Sequence, residues 1–205
     1  MTATRLWHGT IAALTAFALI GQIILTIDQD RSFANFLSYF TIESNILVLI
    51  TCLLIVQRPD RGGTAFGILR LGSLTAITVT GLVYATVLAG NGSFTGIEWW
   101  YDKIFHYAVP ILTVIGFLMF RPRIRFDRSA MWFIVFPLVW LVYTLVRAEV
   151  VNPVYVLDKL TTGPVPYGFL DAGEHGAVAV VIGCAVLTAV FVLIAEAYVR
   201  FSRRP

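Results

Sequence analysis

Residues 176–195 read GAVAVVIGCAVLTAVFVLIA, a run without a single Asp, Glu, Lys or Arg. A helix of about 20 such residues extends about 30 Å, the thickness of the hydrocarbon core of a bilayer. Working outward from this segment, comparable apolar runs recur along the whole chain, near Leu6–Ile27, Phe36–Val56, Ile68–Ala89, Trp100–Phe120 and Ala130–Val151, with the quoted run inside Gly173–Val199. Composition agrees, since 58% of the 205 residues are hydrophobic, 13% are charged and the mean hydropathy is +0.82. A soluble domain has about twice that share of charge. The runs are long and unbroken, which excludes the ten-residue alternation of an outer-membrane barrel. The reading is an all-α membrane protein, one domain spanning 1–205, with six transmembrane helices and neither an internal repeat nor a dividing linker.

The polar breaks between the runs carry the orientation. Cytoplasmic loops retain Lys and Arg, and short loops follow the rule most strictly. Arg5 precedes the first run; Arg58, Arg61 and Arg70 flank the second break; Arg121, Arg123, Arg125 and Arg128 fill the fourth; Arg200, Arg203 and Arg204 close the chain. The intervening breaks hold Asp28, Asp30 and Arg31, then the glycine-rich stretch Gly90–Gly96, then a connection with Asp158, Lys159 and Asp171. The alternation predicts both termini in the cytoplasm, in an inner or plasma membrane. The net charge of +3 follows from this topology, so the arginines do not call for a nucleic-acid partner. The first run has the basic start of a secretory signal but is too long and lacks a small-x-small cleavage site, which predicts a retained anchor. Cys52 and Cys184 fall within runs and read as packing residues.

Ionisable and hydroxyl groups inside spans cost free energy to insert and point to function. Here they collect near one end of the helices. Thr41, Ser44 and Asn45 stand at i, i+3 and i+4 and share one helix face, while Glu43 points elsewhere. Asp102 and His106 are four apart, with Lys103 between them, so that Asp102 can orient the imidazole. Tyr143 and Arg147 repeat the four-residue spacing, followed by Glu149 and Asn152. Pro110 has no N–H for the carbonyl four residues back, which in a regular helix belongs to His106. The connection 152–173, with Pro153, Pro164 and Pro166, is stiff and predicts a lid over the outer mouth.

Taken singly, each residue also has a packing role. Thr41 and Ser44 can bond their own helix carbonyls, Asn45 can tie two helices, and Arg147 can reach headgroups. Their convergence at one depth is what a pocket requires and random interhelical contacts do not.

Three segments together resemble a known family: Tyr39-Phe40-Thr41-Ile42-Glu43-Ser44-Asn45, then His106-Tyr107-Ala108-Val109-Pro110, then Pro164-Val165-Pro166-Tyr167-Gly168-Phe169-Leu170-Asp171. In this order they look like the bacterial branch of the androgen-induced membrane protein family, whose animal members are integral-membrane hydrolases of fatty acid esters of hydroxy fatty acids. The resemblance implies a threonine nucleophile at Thr41 and a histidine base at His106. The spacing adds Asp102 as third member of the catalytic set. Ser44, Asn45, Tyr143, Arg147, Tyr167, Asp171 and His175 complete the expected substrate-binding set, with Asn45, Tyr143 or Arg147 holding an oxyanion or a lipid carboxylate. On this reading the partners are the bilayer and a membrane lipid or fatty acid ester, and no cofactor or metal takes part.

Two alternatives rest on the same residues. Asp102-x-x-x-His106 and Asp171-x-x-x-His175 are two Asp/His pairs at helix ends, the donor set of a hydrolytic zinc site. His106 and His175 could instead ligate haem in a non-enzymatic carrier or lipid-binding protein.

Overall fold

The computed structural model describes residues 2–89, 94–120, 124–156 and 161–203. Six of its helices are long and apolar enough to cross a membrane: Thr2–Asp28, Phe40–Gln57, Thr64–Leu88, Gly96–Met119, Arg128–Val151 and Ala177–Ser202. The chain is an all-α, multi-pass membrane protein. Arg121, Arg123, Asp158, Lys159, Arg204 and most of Gly90–Gly96 lie outside the described residues.

The first helix, α1, covers Thr2–Asp28, followed by the short α2, Phe33–Ser38, and then α3, Phe40–Gln57. A continuous helix from Phe36 is expected from the apolar run, yet the backbone breaks at Tyr39, which is extended (φ −74°, ψ 123°). The cause is lateral. In an unbroken helix the Ser38 carbonyl would accept from Ile42, but it accepts from the Trp140 indole at 3.0 Å, and the Ile42 N–H goes to Tyr39 at 3.0 Å instead. The break turns the first residues of α3 into a helix N-terminus, whose leading N–H groups have no partner within the helix.

The third span is α4, Thr64–Val83, continued by a π-turn at Tyr84–Leu88. The fourth is α5, Gly96–Lys103, a second π-turn at Ile104–Ala108, and α6, Val109–Met119. A 3₁₀ turn, Arg128–Ile134, leads into α7, Val135–Val151. The connection after α7 folds back as the strand pair β1, Tyr155–Val156, and β2, Thr162–Gly163, antiparallel with Tyr155 opposite Gly163. A 3₁₀ turn at Gly168–Leu170 and the short α8, Ala172–His175, precede α9, Ala177–Ser202. The last helix begins four residues later than its apolar run because Gly176 stands at φ +81°, a left-handed conformation that interrupts the helix.

α4 lies at the centre, packed on α3, α6, α9 and the 128–134 turn. Of its most apolar stretch 56% is buried inside the protein, against 11% for α9, so α4 is the hub and α9 turns most of its surface outward. Hydroxyls join the helices, as where Thr78 meets the Tyr198 hydroxyl of α9 at 2.7 Å. Cys52 is buried in the core around α1 and α3. Arg70, expected beside an inner loop, is instead buried on α4, because it sits nearly two turns inside the helix and faces α1.

Candidate functional site

The site begins with a defect in the fourth span. Pro110 has no N–H, and the helix adjusts by widening into a π-turn over Ile104–Ala108, in which Val109 donates to Ile104. The widening shifts the frame by one residue. The carbonyl that Pro110 fails to serve is therefore that of Phe105, not of His106 as a regular helix would require. Asn45 fills the gap: its Nδ2 donates to Phe105 O at 3.4 Å and to Thr41 O at 2.8 Å, tying the head of α3 to the π-turn. Across the contact Gly81 permits the close approach, since a Cβ there would stand 3.0 Å from Pro110 and 3.3 Å from the His106 carbonyl.

This adjustment brings His106 against Thr41. Thr41 Oγ1 and His106 Nε2 are 3.1 Å apart. On the other side of the ring, His106 Nδ1 lies 2.9 Å from the Asp102 carbonyl and 3.0 Å from Asp102 Oδ1. Both neighbours of Nδ1 can only accept, so Nδ1 carries the proton and Nε2 presents its lone pair to the threonine hydroxyl. Asp102 is itself held: Oδ2 accepts from the Tyr84 hydroxyl at 2.5 Å and from Lys103 Nζ at 2.9 Å. The Tyr84 ring stacks on the imidazole with centroids 3.9 Å apart and 14° between planes, which fixes the tilt of His106.

Thr41 occupies the first turn of α3 exposed by the break at Tyr39. Its N–H donates to the Tyr167 hydroxyl at 3.2 Å, and Tyr167 Oη is also 3.2 Å from Thr41 Oγ1. With the threonine proton directed to His106, the Tyr167 O–H donates to Oγ1. Burial pushes the Tyr167 phenol above its ordinary pKa, so it remains a protonated donor. Thr41 and Tyr167 then form the polar floor of a mostly apolar cavity, walled by Val79, Val83, Leu138, Leu187 and Phe191 with Thr80 and Thr188 also on its lining.

The remaining expected residues are placed differently. Ser44 bonds the Thr41 carbonyl at 3.0 Å and Thr80 Oγ1 at 2.9 Å, and like Asn45 it is fully buried beneath Thr41. The Tyr143 hydroxyl meets Ser38 Oγ at 3.1 Å. Arg147 donates to Asn35 Oδ1 and to the Tyr155 hydroxyl, both at 2.7 Å, and so fastens α2 and β1 to the end of α7. Asp171 caps α8 through the N–H groups of Gly173 and Glu174. His175 is exposed, and its side-chain neighbour is the Glu174 carboxylate at 3.9 Å, since Asp171 is already engaged as a cap. None of these six residues lines the cavity. The two Asp/His pairs do not converge, and among the described residues no group of three His, Cys, Asp or Glu side chains is arranged to hold a metal.

Tyr84 was not distinguishable in the sequence, where a lone tyrosine near a span end reads as an interfacial anchor. Its spacing from Asp102 carries no helical signal, because the two residues meet across helices. Comparison of the chain with protein-family models, curated proteins and solved structures gives no match.

Proposed function

We propose that the protein is an integral-membrane lipid ester hydrolase with Thr41 as nucleophile and His106 as base. The observation that carries this reading is the hydrogen-bonded row Thr41–His106–Asp102 ending on the floor of an apolar cavity. A threonine hydroxyl is a poor nucleophile until a base takes its proton, and a base serves only when its tautomer is held. The resemblance of the Tyr39–Asn45, His106–Pro110 and Pro164–Asp171 segments to the androgen-induced membrane protein family points to the same pair.

In this mechanism Thr41 Oγ1 attacks the acyl carbonyl while its proton passes to His106 Nε2. Asp102 balances the imidazolium charge, and the stacked Tyr84 face favours the cation. The substrate oxygen, negative in the tetrahedral intermediate, takes the position at the Thr41 N–H now held by Tyr167, with the Tyr167 O–H turned toward it. The N-terminus of α3 adds its positive end at that point. Collapse breaks the ester C–O bond, and His106 returns the proton to the leaving alcohol. Water then attacks the acyl-threonine, its proton going to His106, and Thr41 regains its own as the fatty acid leaves. The cavity between α4, α7 and α9 takes the acyl chain.

The reading is tested by incubating purified protein with fatty acid esters of hydroxy fatty acids, monoacylglycerols and phospholipids, and separately with an alkyl fluorophosphonate. Ester hydrolysis and an adduct on the peptide bearing Thr41 are expected. An adduct confined to other peptides, or inertness toward every ester, would overturn it.

We further propose that both termini face the cytoplasm of an inner or plasma membrane, which puts the Thr41 site at the outer face. The exposed Arg58–Asp60 corner and the Arg200 end of α9 support this orientation. In a protein lacking Cys52 and Cys184, a cysteine at Gly62 should resist an impermeant thiol reagent added to intact cells, and one at Thr162 should react. The opposite labelling would invert the placement of the site.

A further inference from the structure

The end of the helices remote from Thr41 holds a second cavity, and its chemistry is unlike the first. It is lined by the start of α1, the 59–63 turn after α3, the start of α4, the end of α6 and residues 124–125. Its lining mixes apolar side chains such as Phe66 and Phe117 with three arginines, Arg61, Arg70 and Arg125, against a single carboxylate, Asp60. That carboxylate is engaged by Arg58 at 3.4 Å.

Arg70 sets the character of this cavity. It is only 4% exposed, yet no Asp or Glu among the described residues lies within ion-pairing distance. Its Nη2 lies 3.4 Å from His8 Nε2. The other His8 nitrogen, Nδ1, meets the Thr4 carbonyl at 2.8 Å and must donate there, so Nε2 accepts from Arg70 and brings no charge of its own. The second guanidinium nitrogen, Nη1, is buried without any hydrogen-bond partner among the described residues. A buried cation with one arm satisfied by a neutral ring and the other open is strongly disfavoured unless an anion completes it. Arginine, planar and permanently charged, is the side chain best suited to a tetrahedral oxyanion.

We infer that this cavity is an anion site for a phosphate group, with Arg70 as the buried ligand and Arg125 and Arg61 as the cationic rim. Arg70 contacts the phosphate oxygens through Nη1. His8 holds the guanidinium in place through Nη2, and Arg125, which is exposed, draws the anion in. The phosphate has two possible sources, a membrane phospholipid headgroup and a soluble phosphate. The site lies at the opposite end of the 18-residue helix α3 from Thr41, and the inference does not depend on the hydrolase reading.

The experiment measures thermal unfolding of the purified full-length protein in a neutral detergent by tryptophan fluorescence. The additions are inorganic phosphate, chloride at matched ionic strength, and mixed micelles of phosphatidylglycerol or phosphatidylcholine. Saturating phosphate or phosphatidylglycerol is expected to raise the midpoint by about 5 °C over its control. A response to inorganic phosphate assigns a soluble ligand, and one to phosphatidylglycerol alone assigns a headgroup. Arg70→Met should abolish the response while leaving the anion-free midpoint equal or higher, because an uncompensated buried charge has been removed. If Arg70→Met does not yield folded protein, Arg125→Gln on the rim decides, and it should raise the concentration for half-maximal response about 5-fold. Wild-type protein indifferent to both anion sources, or a full response persisting in the variants, would overturn the assignment.

Discussion

Thr41→Ala and His106→Ala are each expected to lower kcat/KM for lipid-ester hydrolysis by on the order of 10³-fold or more. The expectation comes from the geometry of a single proton path. Thr41 Oγ1 stands 3.1 Å from His106 Nε2, and among the described residues its other side-chain partner is the Tyr167 hydroxyl, which is no base. Removing the hydroxyl removes the bond-forming atom, and removing the imidazole leaves the hydroxyl with its proton. Residues acting on one proton are not additive, so the double variant should be no slower than the slower single one. Thr41→Ser should keep a substantial fraction of turnover, since the hydroxyl and the N–H at the head of α3 both persist. Stability should change little, because the helix break is held by Trp140 and Ser38 and not by the Thr41 side chain. Kinetics on the four purified variants and wild type check this, and either alanine variant within a few-fold of wild type would remove the nucleophile–base pair.

The spans were legible because a helix in lipid must satisfy its own backbone, which forces long apolar runs that no other constraint produces. The partition of polar residues was legible for the related reason that insertion penalises them, so Thr41, Asp102 and His106 stood out from their surroundings. The local geometry that makes these three a unit was not. The break at Tyr39 depends on the Trp140 indole arriving from another helix to take the Ser38 carbonyl, and an apolar run carries no mark of that contact. The π-turn at Ile104–Ala108 is a response to Pro110, but the sequence does not say whether a helix will kink or widen. That choice moved the unserved carbonyl from His106 to Phe105, to which Asn45 donates. Arg147 was legible only through its spacing from Tyr143; its hydrogen bonds to Asn35, more than a hundred residues away, and to Tyr155 in a short strand leave no mark in the local sequence.

Asp102→Asn is expected to reduce kcat by on the order of 10²-fold with little change in KM, a smaller loss than deletion of His106. The difference follows from what His106 Nδ1 touches. In a serine-protease triad the carboxylate alone selects the histidine tautomer, and its amide replacement loses about 10⁴-fold because the wrong tautomer results. Here the Asp102 main-chain carbonyl also accepts from Nδ1, at 2.9 Å, and the asparagine keeps it. The tautomer therefore survives and only the charge is lost. A carboxylate 3.0 Å from the ring stabilises an imidazolium by about 5 kcal/mol at an effective dielectric constant of about 20. Lys103 stands beside the ring in both proteins and cancels, but the proton is only partly on the imidazole in the transition state, so loss of the carboxylate charge forfeits roughly half of this, about 2–3 kcal/mol. That loss corresponds to about 10²-fold in rate. KM should hold because Asp102 does not line the acyl cavity. Asp102→Ala should cost more than Asp102→Asn, since Tyr84 and Lys103 then lose their shared acceptor and the ring stacked against Tyr84 is freed to tilt. Steady-state kinetics of the two variants decide the matter. An asparagine variant as fast as wild type would take the carboxylate out of the mechanism, whereas one as slow as His106→Ala would show that the main-chain carbonyl does not hold the tautomer.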